Sequence, residues 1–188
     1  MSSFISRGFR GRRVDPETAA RLPPGQYLTR DFPVLSAGPT PRTSLATWTF
    51  RVDGLVDAPQ QWTWDEFRAL PQETITTDIH CVTKWSKFDT VWKGVSLDTL
   101  LSGRTDEAGY LIAHCDGGYT TNLPLADVTD GKAWVVYGFG GEDLHPEHGG
   151  PARLLVPHLY FWKSAKWIRR LELIAHDRRG FWEDLGYH

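Results

Sequence analysis

Helical periodicity is almost absent from this sequence. Between Thr47 and Ala175 the apolar residues recur mostly at every second position, in short runs broken by Gly, Pro or Asp. Trp48, Phe50 and Val52 alternate with Thr49, Arg51 and Asp53 up to Gly54, the pattern of a half-buried strand. Ile75, Ile79 and Cys81 share one face of a second run, Thr74 to Val82. Further strands are predicted at Tyr110–Cys115, Trp134–Tyr137, Arg153–Val156 and Trp167–Ala175. Turns follow at Asp116-Gly117-Gly118 and Gly138-Phe139-Gly140-Gly141. Only two short helices are signalled. Thr63-x-x-Glu66 is a capping box with Trp62 and Phe67 placed as a hydrophobic staple, and Pro71 stops that helix. Ser96 caps the other, whose apolar side is Leu97, Leu100 and Leu101. Strands that do not alternate with long helices exclude a doubly wound sheet and leave an α+β class dominated by mixed β-structure, in a single domain.

Residues 1–46 are rich in Pro, Gly and Arg and read as an arm that wraps the fold, with Phe32, Val34 and Leu35 as its anchors. The basic run Ser6–Arg13 is followed by no apolar stretch, so a solvated arm and a cytoplasmic setting are expected. No apolar run approaches ~18 residues, so no membrane-spanning helix is expected. Lys+Arg 21 against Asp+Glu 23 gives a net charge of −2, which disfavours nucleic acid as a partner. Two cysteines are too few for a disulfide framework or an unaided iron–sulfur cluster. Nine Trp fit either a small fold with rings in its core or a sugar binder with rings on its surface.

Three groups of residues could carry chemistry. Cys81 lies in Asp78-Ile79-His80-Cys81-Val82-Thr83-Lys84-Trp85, where two lysines (Lys84 and Lys87) and a histidine favour a thiolate ligand or nucleophile. The competing reading is a buried, inert thiol. His-Cys occurs twice, as His80-Cys81 and His114-Cys115, but strand neighbours point to opposite faces and cannot share one zinc ion. His145-Pro146-Glu147-His148 sits in a Gly/Pro-rich loop and reads as solvated or capping. Arg153, Lys163, Lys166, Arg169 and Arg170 form a basic set. Either they are a solvated face, or Arg153, which opens an apolar run, and the Lys163–Lys166 stretch, which lies amid aromatics, need an anionic partner such as phosphate.

Together these segments resemble a known family. Asp78–Ser86 followed by Trp92-Lys93-Gly94-Val95 is similar to the cysteine signature of the sulfite-oxidase-type molybdopterin enzymes. His148-Gly149-Gly150-Pro151-Ala152-Arg153, then Ser164-Ala165-Lys166-Trp167, resembles the cofactor-binding stretch of that family. Val136–Leu144 matches the segment between them, and Leu28–Leu35 the N-terminal piece that closes over the cofactor. The resemblance implies a basic arm at 1–27 and a molybdopterin-binding oxidoreductase domain at 28–188, with the sulfite-oxidase-type fold. It implies a molybdenum–molybdopterin cofactor with Cys81 as the metal's thiolate ligand. Arg30, Asp116, His148, Arg153, Ser164, Ala165 and Lys166 would contact the cofactor.

Cys81, Arg30 and Arg178 are the implied catalytic residues, the two arginines attracting a small oxyanion or an S- or N-oxide. Arg178 stands where sulfite oxidases place an active-site tyrosine, so sulfite turnover is expected to be weak. The implied reaction is two-electron oxygen-atom transfer on a small-molecule substrate. With no haem, flavin or iron–sulfur motif in the chain, a separate electron-transfer protein is the expected partner. The alternative is a non-catalytic Trp-rich β-module that binds a sugar or peptide.

Overall fold

The computed structural model describes residues 15–187, so the basic run Ser6–Arg13 lies outside the described residues. Two sheets pack face to face. Sheet B has the order β3-β2-β11-β6-β7, built from β3 (Gln60–Thr63), β2 (Thr49–Gly54), β11 (Ile168–Ile174), β6 (Tyr110–Cys115) and β7 (Thr120–Pro124). In it β11 runs parallel to β2 and antiparallel to β6. Sheet A runs β1-β5-β8-β10, with β4 also paired to β5 and β9 to β8. Its strands are β1 (Tyr27–Leu28), β4 (Glu73–His80), β5 (Trp85–Ser96), β8 (Trp134–Phe139), β9 (Glu142–Asp143) and β10 (Arg153–Leu155).

The main core lies between the sheets. Phe50, Val52, Leu111, Leu123, Leu171 and Leu173 from sheet B meet Val95, Val135, Tyr137 and Leu154 from sheet A. Helix α2 (Trp64–Ala69) adds Trp64 and Phe67, and its Thr63/Glu66 capping box is present as predicted. Trp62 and Phe67 both pack on Phe50. Ser96 caps α3 (Leu97–Leu100), accepting from the Asp98 N–H.

The other face of sheet A carries a second apolar cluster. The two-residue period of β8 sends Val135 and Tyr137 to the main core, and Trp134 and Val136 to this cluster. That is why the strand reads as an unbroken apolar run. By the same alternation, Leu154 of β10 faces the main core while Arg153 and Leu155 face the second cluster. Gly94 lets β5 and β8 cross closely, since a Cβ there would sit 2.3 Å from the Val135 carbonyl oxygen.

The chain ahead of sheet A is folded on to it. Helix α1 (Pro16–Arg21) fastens through Arg21, which bonds Asp78 at 2.6 Å and Asp89 at 2.7 Å, and β1 then pairs in parallel with Trp85 and Ser86. Of the expected arm anchors, Phe32 packs on the second cluster. Val34 and Leu35 do not, being 45% and 50% exposed. Six of the nine Trp are buried and none of the other three is fully exposed, which removes the surface-ring arrangement of a sugar binder. Among the described residues no helix is long and apolar enough to cross a membrane.

Candidate cofactor and active site

Cys81 closes β4 at the head of the β4–β5 hairpin. Its N–H donates to the Trp85 carbonyl, and its own carbonyl accepts from Lys84 N–H and from Gln26 Nε2 at 3.0 Å. Lys84 takes a positive φ of 75° to make this turn. The Thr83 hydroxyl donates to Cys81 Sγ at 3.1 Å. The side chain is 6% exposed and belongs to the second cluster, with Trp85, Trp92, Phe161 and the partly buried Phe32. His80 turns away to Ser86 Oγ, 2.8 Å from Nδ1, and burial lowers its basicity. His114 lies on sheet B, bonded to Glu172, so the two His-Cys pairs do not converge on one ion.

The five basic candidates divide sharply. Lys163 pairs with Glu183 at 2.5 Å, Arg169 approaches Asp116 at 3.6 Å, and Arg170 bonds Asp53 at 2.8 Å. Arg153 and Lys166 have no carboxylate partner among the described residues. Arg153 is 1% exposed, donating to the carbonyls of His148 (2.7 Å) and Ser164, with its guanidinium 4.0 Å from the Phe161 ring centroid. Burial pulls it from 12.5 down to about 9. Lys166 donates to the Glu147 carbonyl at 2.7 Å and is lowered to about 8, first by burial and then by Arg153. A buried guanidinium without a counter-charge is costly, and Arg153 with the half-buried Lys166 beside it marks a place where an anion belongs.

The residues between them complete a cradle. His148 ends a short turn whose cap, Gly149, has φ +109°, and a Cβ there would press on Arg153 Cβ and Lys166 Cβ at 3.1 and 3.0 Å. Burial holds the His148 pKa below the usual imidazole value, and its Nδ1 is buried with no hydrogen-bond partner among the described residues. Trp85 Nε1 is orphaned in the same way. Phe32 touches both rings, stacked on His148 at 4.0 Å and edge-on to Trp85. The Ser164 hydroxyl accepts the Val156 N–H at 2.9 Å, and the Ala165 carbonyl accepts the Leu154 N–H, so both fix the strand beside Arg153. A cavity of about 810 Å³ opens on the other flank of the His148 turn, lined by residues including Arg42, Trp64, Tyr137, Leu144, Pro146 and Gly150.

The structure therefore brings His148, Arg153, Ser164, Ala165 and Lys166 into one group, with Cys81 joined to it through the Phe32–Trp85–Trp92–Phe161 aromatics. Asp116 stands beside this group, its N–H on the Trp167 carbonyl and its carboxylate on Thr43 and Arg169. Arg30 is exposed, two residues beyond β1, and its carbonyl accepts from Lys87 Nζ at 2.6 Å. Arg178 is not brought to the group: it is exposed and ion-paired to Glu172 of sheet B. Sequence reasoning passed over Gln26, whose contact depends on a parallel pairing no local pattern reveals. It also gave Thr83 no role, though the residue lies inside the cysteine motif.

A buried thiol and an uncompensated cationic cradle on one sheet face define a site for a large anionic cofactor, and the class is that of the molybdopterin-dependent oxidoreductases. Residues 37–182 match the family model described as "Oxidoreductase molybdopterin binding domain", and the chain belongs to this family. It is 43% identical over 181 residues to the uncharacterized oxidoreductase YuiH of Bacillus subtilis, covering 95% of this chain and 91% of that one. It is 30% identical to the putative protein-methionine-sulfoxide reductase subunit YedZ1 of Azospira oryzae, covering 95% and 70%. Among solved structures, the sulfane dehydrogenase SoxCD of Paracoccus pantotrophus superposes with a TM-score of 0.66 at 25% identity. That match covers 73% of this chain and 40% of the SoxCD chain. The chain is thus an enzyme of a molybdopterin-binding family with the sulfite-oxidase-type fold, and a non-catalytic Trp-rich module is excluded.

Proposed function

We propose that this protein carries out two-electron oxygen-atom transfer on a small oxyanion or an S- or N-oxide, exchanging electrons with a separate carrier protein. The observation that carries the reading is the pairing of the Cys81 thiol with an anion cradle that has no anion of its own, Arg153 and Lys166, across one aromatic cluster. The residues fit the cofactor: orphaned His148 Nδ1 and Trp85 Nε1 offer hydrogen bonds, and the two unpaired cations suit a pterin phosphate. When bound, molybdenum on a pterin dithiolene supplies oxygen-atom transfer and accepts or gives two electrons.

The chain's own residues bind, orient and exclude water. Cys81 presents a soft thiolate donor whose electron density the Thr83 hydroxyl tempers. Gln26 and Lys84 fix the Cys81 carbonyl, and so the direction of its side chain. Phe32, Trp85, Trp92 and Phe161 keep the interior dry, which strengthens every charge contact inside it. Arg153, Lys166 and His148 hold the phosphate end, with Ser164 and Ala165 keeping their strand in place and Asp116 beside them. Arg30, beside the Cys81 hairpin, draws an anionic or strongly polar substrate toward the thiol. Arg178, already neutralised by Glu172, is given no part in this pocket. YedZ1, described as a reductase subunit, supports transfer to a separate carrier.

The test is elemental and pterin analysis of protein made in a pterin-competent host, followed by steady-state assays with redox dyes. About one molybdenum per chain, and S- or N-oxide reduction exceeding sulfite oxidation, is the expected result. Absence of both metal and pterin would overturn the cofactor assignment. Sulfite turnover faster than every oxide tested would overturn the substrate class.

A further inference from the structure

The loop from Pro157 to Lys166 carries Phe161, Ser164 and Lys166, and it is tied down from an unexpected direction. Lys163 Nζ reaches across to sheet B, where it donates to the Asn122 carbonyl (2.7 Å), Asn122 Oδ1 (2.9 Å) and Glu183 Oε1 (2.5 Å). Glu183 belongs to α4 (Phe181–Asp184) and is 3% exposed. The same Oε1 accepts the Thr121 hydroxyl at 2.6 Å and the Asn122 N–H at 3.3 Å. Asn122 Nδ2 in turn donates to Asp177 at 2.5 Å, and the Tyr119 hydroxyl donates to the Trp162 carbonyl. Gly180 lies so close to β7 that a Cβ would meet the Thr120 carbonyl oxygen at 2.6 Å. Residues 177–184 therefore fit closely on β7, and their single buried carboxylate grips the cofactor loop one residue before Ser164.

A buried ion pair is a poor way to gain stability, because desolvation offsets most of the attraction and an apolar pair of similar size does as well. Its value lies in geometry. Lys163 has no other carboxylate among the described residues, and Glu183 no other cation. We propose that Glu183 is a positioning residue: through Lys163 it clasps the 157–166 loop, so that Ser164 and Lys166 keep their places around Arg153. Release of the cofactor's anionic end then requires this clasp to loosen. Glu183 touches neither the cradle nor the thiol and acts only through Lys163.

The inference rests on the cofactor reading above, and the experiment separates the two. Glu183→Gln removes the charge, while the double variant Lys163→Met with Glu183→Leu replaces the pair by apolar groups of similar volume and keeps the fold intact if Glu183→Gln does not. Three quantities are measured on each: urea stability of the apo-protein, hydrogen exchange of the 158–166 amides, and the rate of pterin release from the holoenzyme by fluorescence. The expected result is exchange accelerated in 158–166 but not in the β4–β5 hairpin. Pterin release should also speed up about 10- to 100-fold, as for a partner that orients a ligand group without touching it, in both variants. Unchanged exchange in 158–166, or release that rises only in proportion to a loss of global stability, overturns the clasp. A wild-type protein without pterin would sink the cofactor reading, while the exchange measurement still decides whether Glu183 holds the loop.

Discussion

Replacing Arg153 with methionine should leave the empty protein about as stable as before and strip it of its cofactor. Burial that draws the guanidinium from 12.5 to about 9 corresponds to about 5 kcal/mol of unfavourable charge burial at neutral pH, where the group stays protonated. Against this stand two charge-assisted hydrogen bonds, to the carbonyls of His148 and Ser164, worth together about 3–6 kcal/mol. The two terms nearly cancel, and methionine fills much of the same volume against Phe161. Apo stability from urea unfolding is therefore expected to move by no more than about 2 kcal/mol in either direction. A buried phosphate deprived of this partner loses about 2–5 kcal/mol, a roughly 30- to 5,000-fold weaker hold. Pterin retained after gel filtration, read by fluorescence of the oxidised pterin, should fall to near zero. If the apo-protein instead loses more than about 4 kcal/mol while pterin content is unchanged, Arg153 is a structural cation and the cradle argument fails.

Cys81→Ser should abolish turnover while the protein stays folded and keeps pterin, since an alkoxide is a harder donor and the phosphate contacts lie elsewhere. Cys115→Ser, its control, should cost about 1–2 kcal/mol by burying a hydroxyl and keep activity, as dye-coupled assays with circular dichroism will show. Lys166 is lowered to about 8 in the fold against 10.5 outside it, so between those values the unfolded chain binds the extra proton and apo stability rises with pH. Over the same window the cradle loses positive charge, and inorganic phosphate binding should weaken by calorimetry. The two trends run in opposite directions, and parallel trends would contradict the assignment. Arg178→Ala should leave KM for any substrate within about twofold and cost at most about 1 kcal/mol, because its exposed pair with Glu172 is the contact it makes. A large rise in KM would return Arg178 to the pocket.

What could be read from the residues was whatever depends on a local period. β2, β6 and β8 lie close to where alternation predicts them, as does the face shared by Ile79 and Cys81. β5 was not recognised as one long strand, because a positive φ at Asp89 and a register shift at Lys93/Gly94 break its alternation. β7 begins Thr-Thr-Asn, which is turn-like alone, and is a strand because β6 offers it a ladder. The cradle was half legible: the apolar run that Arg153 opens and the aromatics around Lys163–Lys166 suggested an anion, yet nothing local showed that Lys163, Arg169 and Arg170 have carboxylate neighbours. Those neighbours come from elsewhere in the chain, Asp53 lying 117 residues from Arg170, and pairing between separate segments leaves no periodic trace.

Among the described residues, Phe32 is the only member of the second apolar cluster that precedes Ile75 in the chain. Its ring rests on Trp85, Trp92, Phe139, His148 and Phe161, all of which are synthesised later. An early segment is thus one whose seat is finished late. A nascent chain must carry the Phe32 ring without its seat until at least Phe161 has emerged, so these contacts are among the last that the second cluster completes.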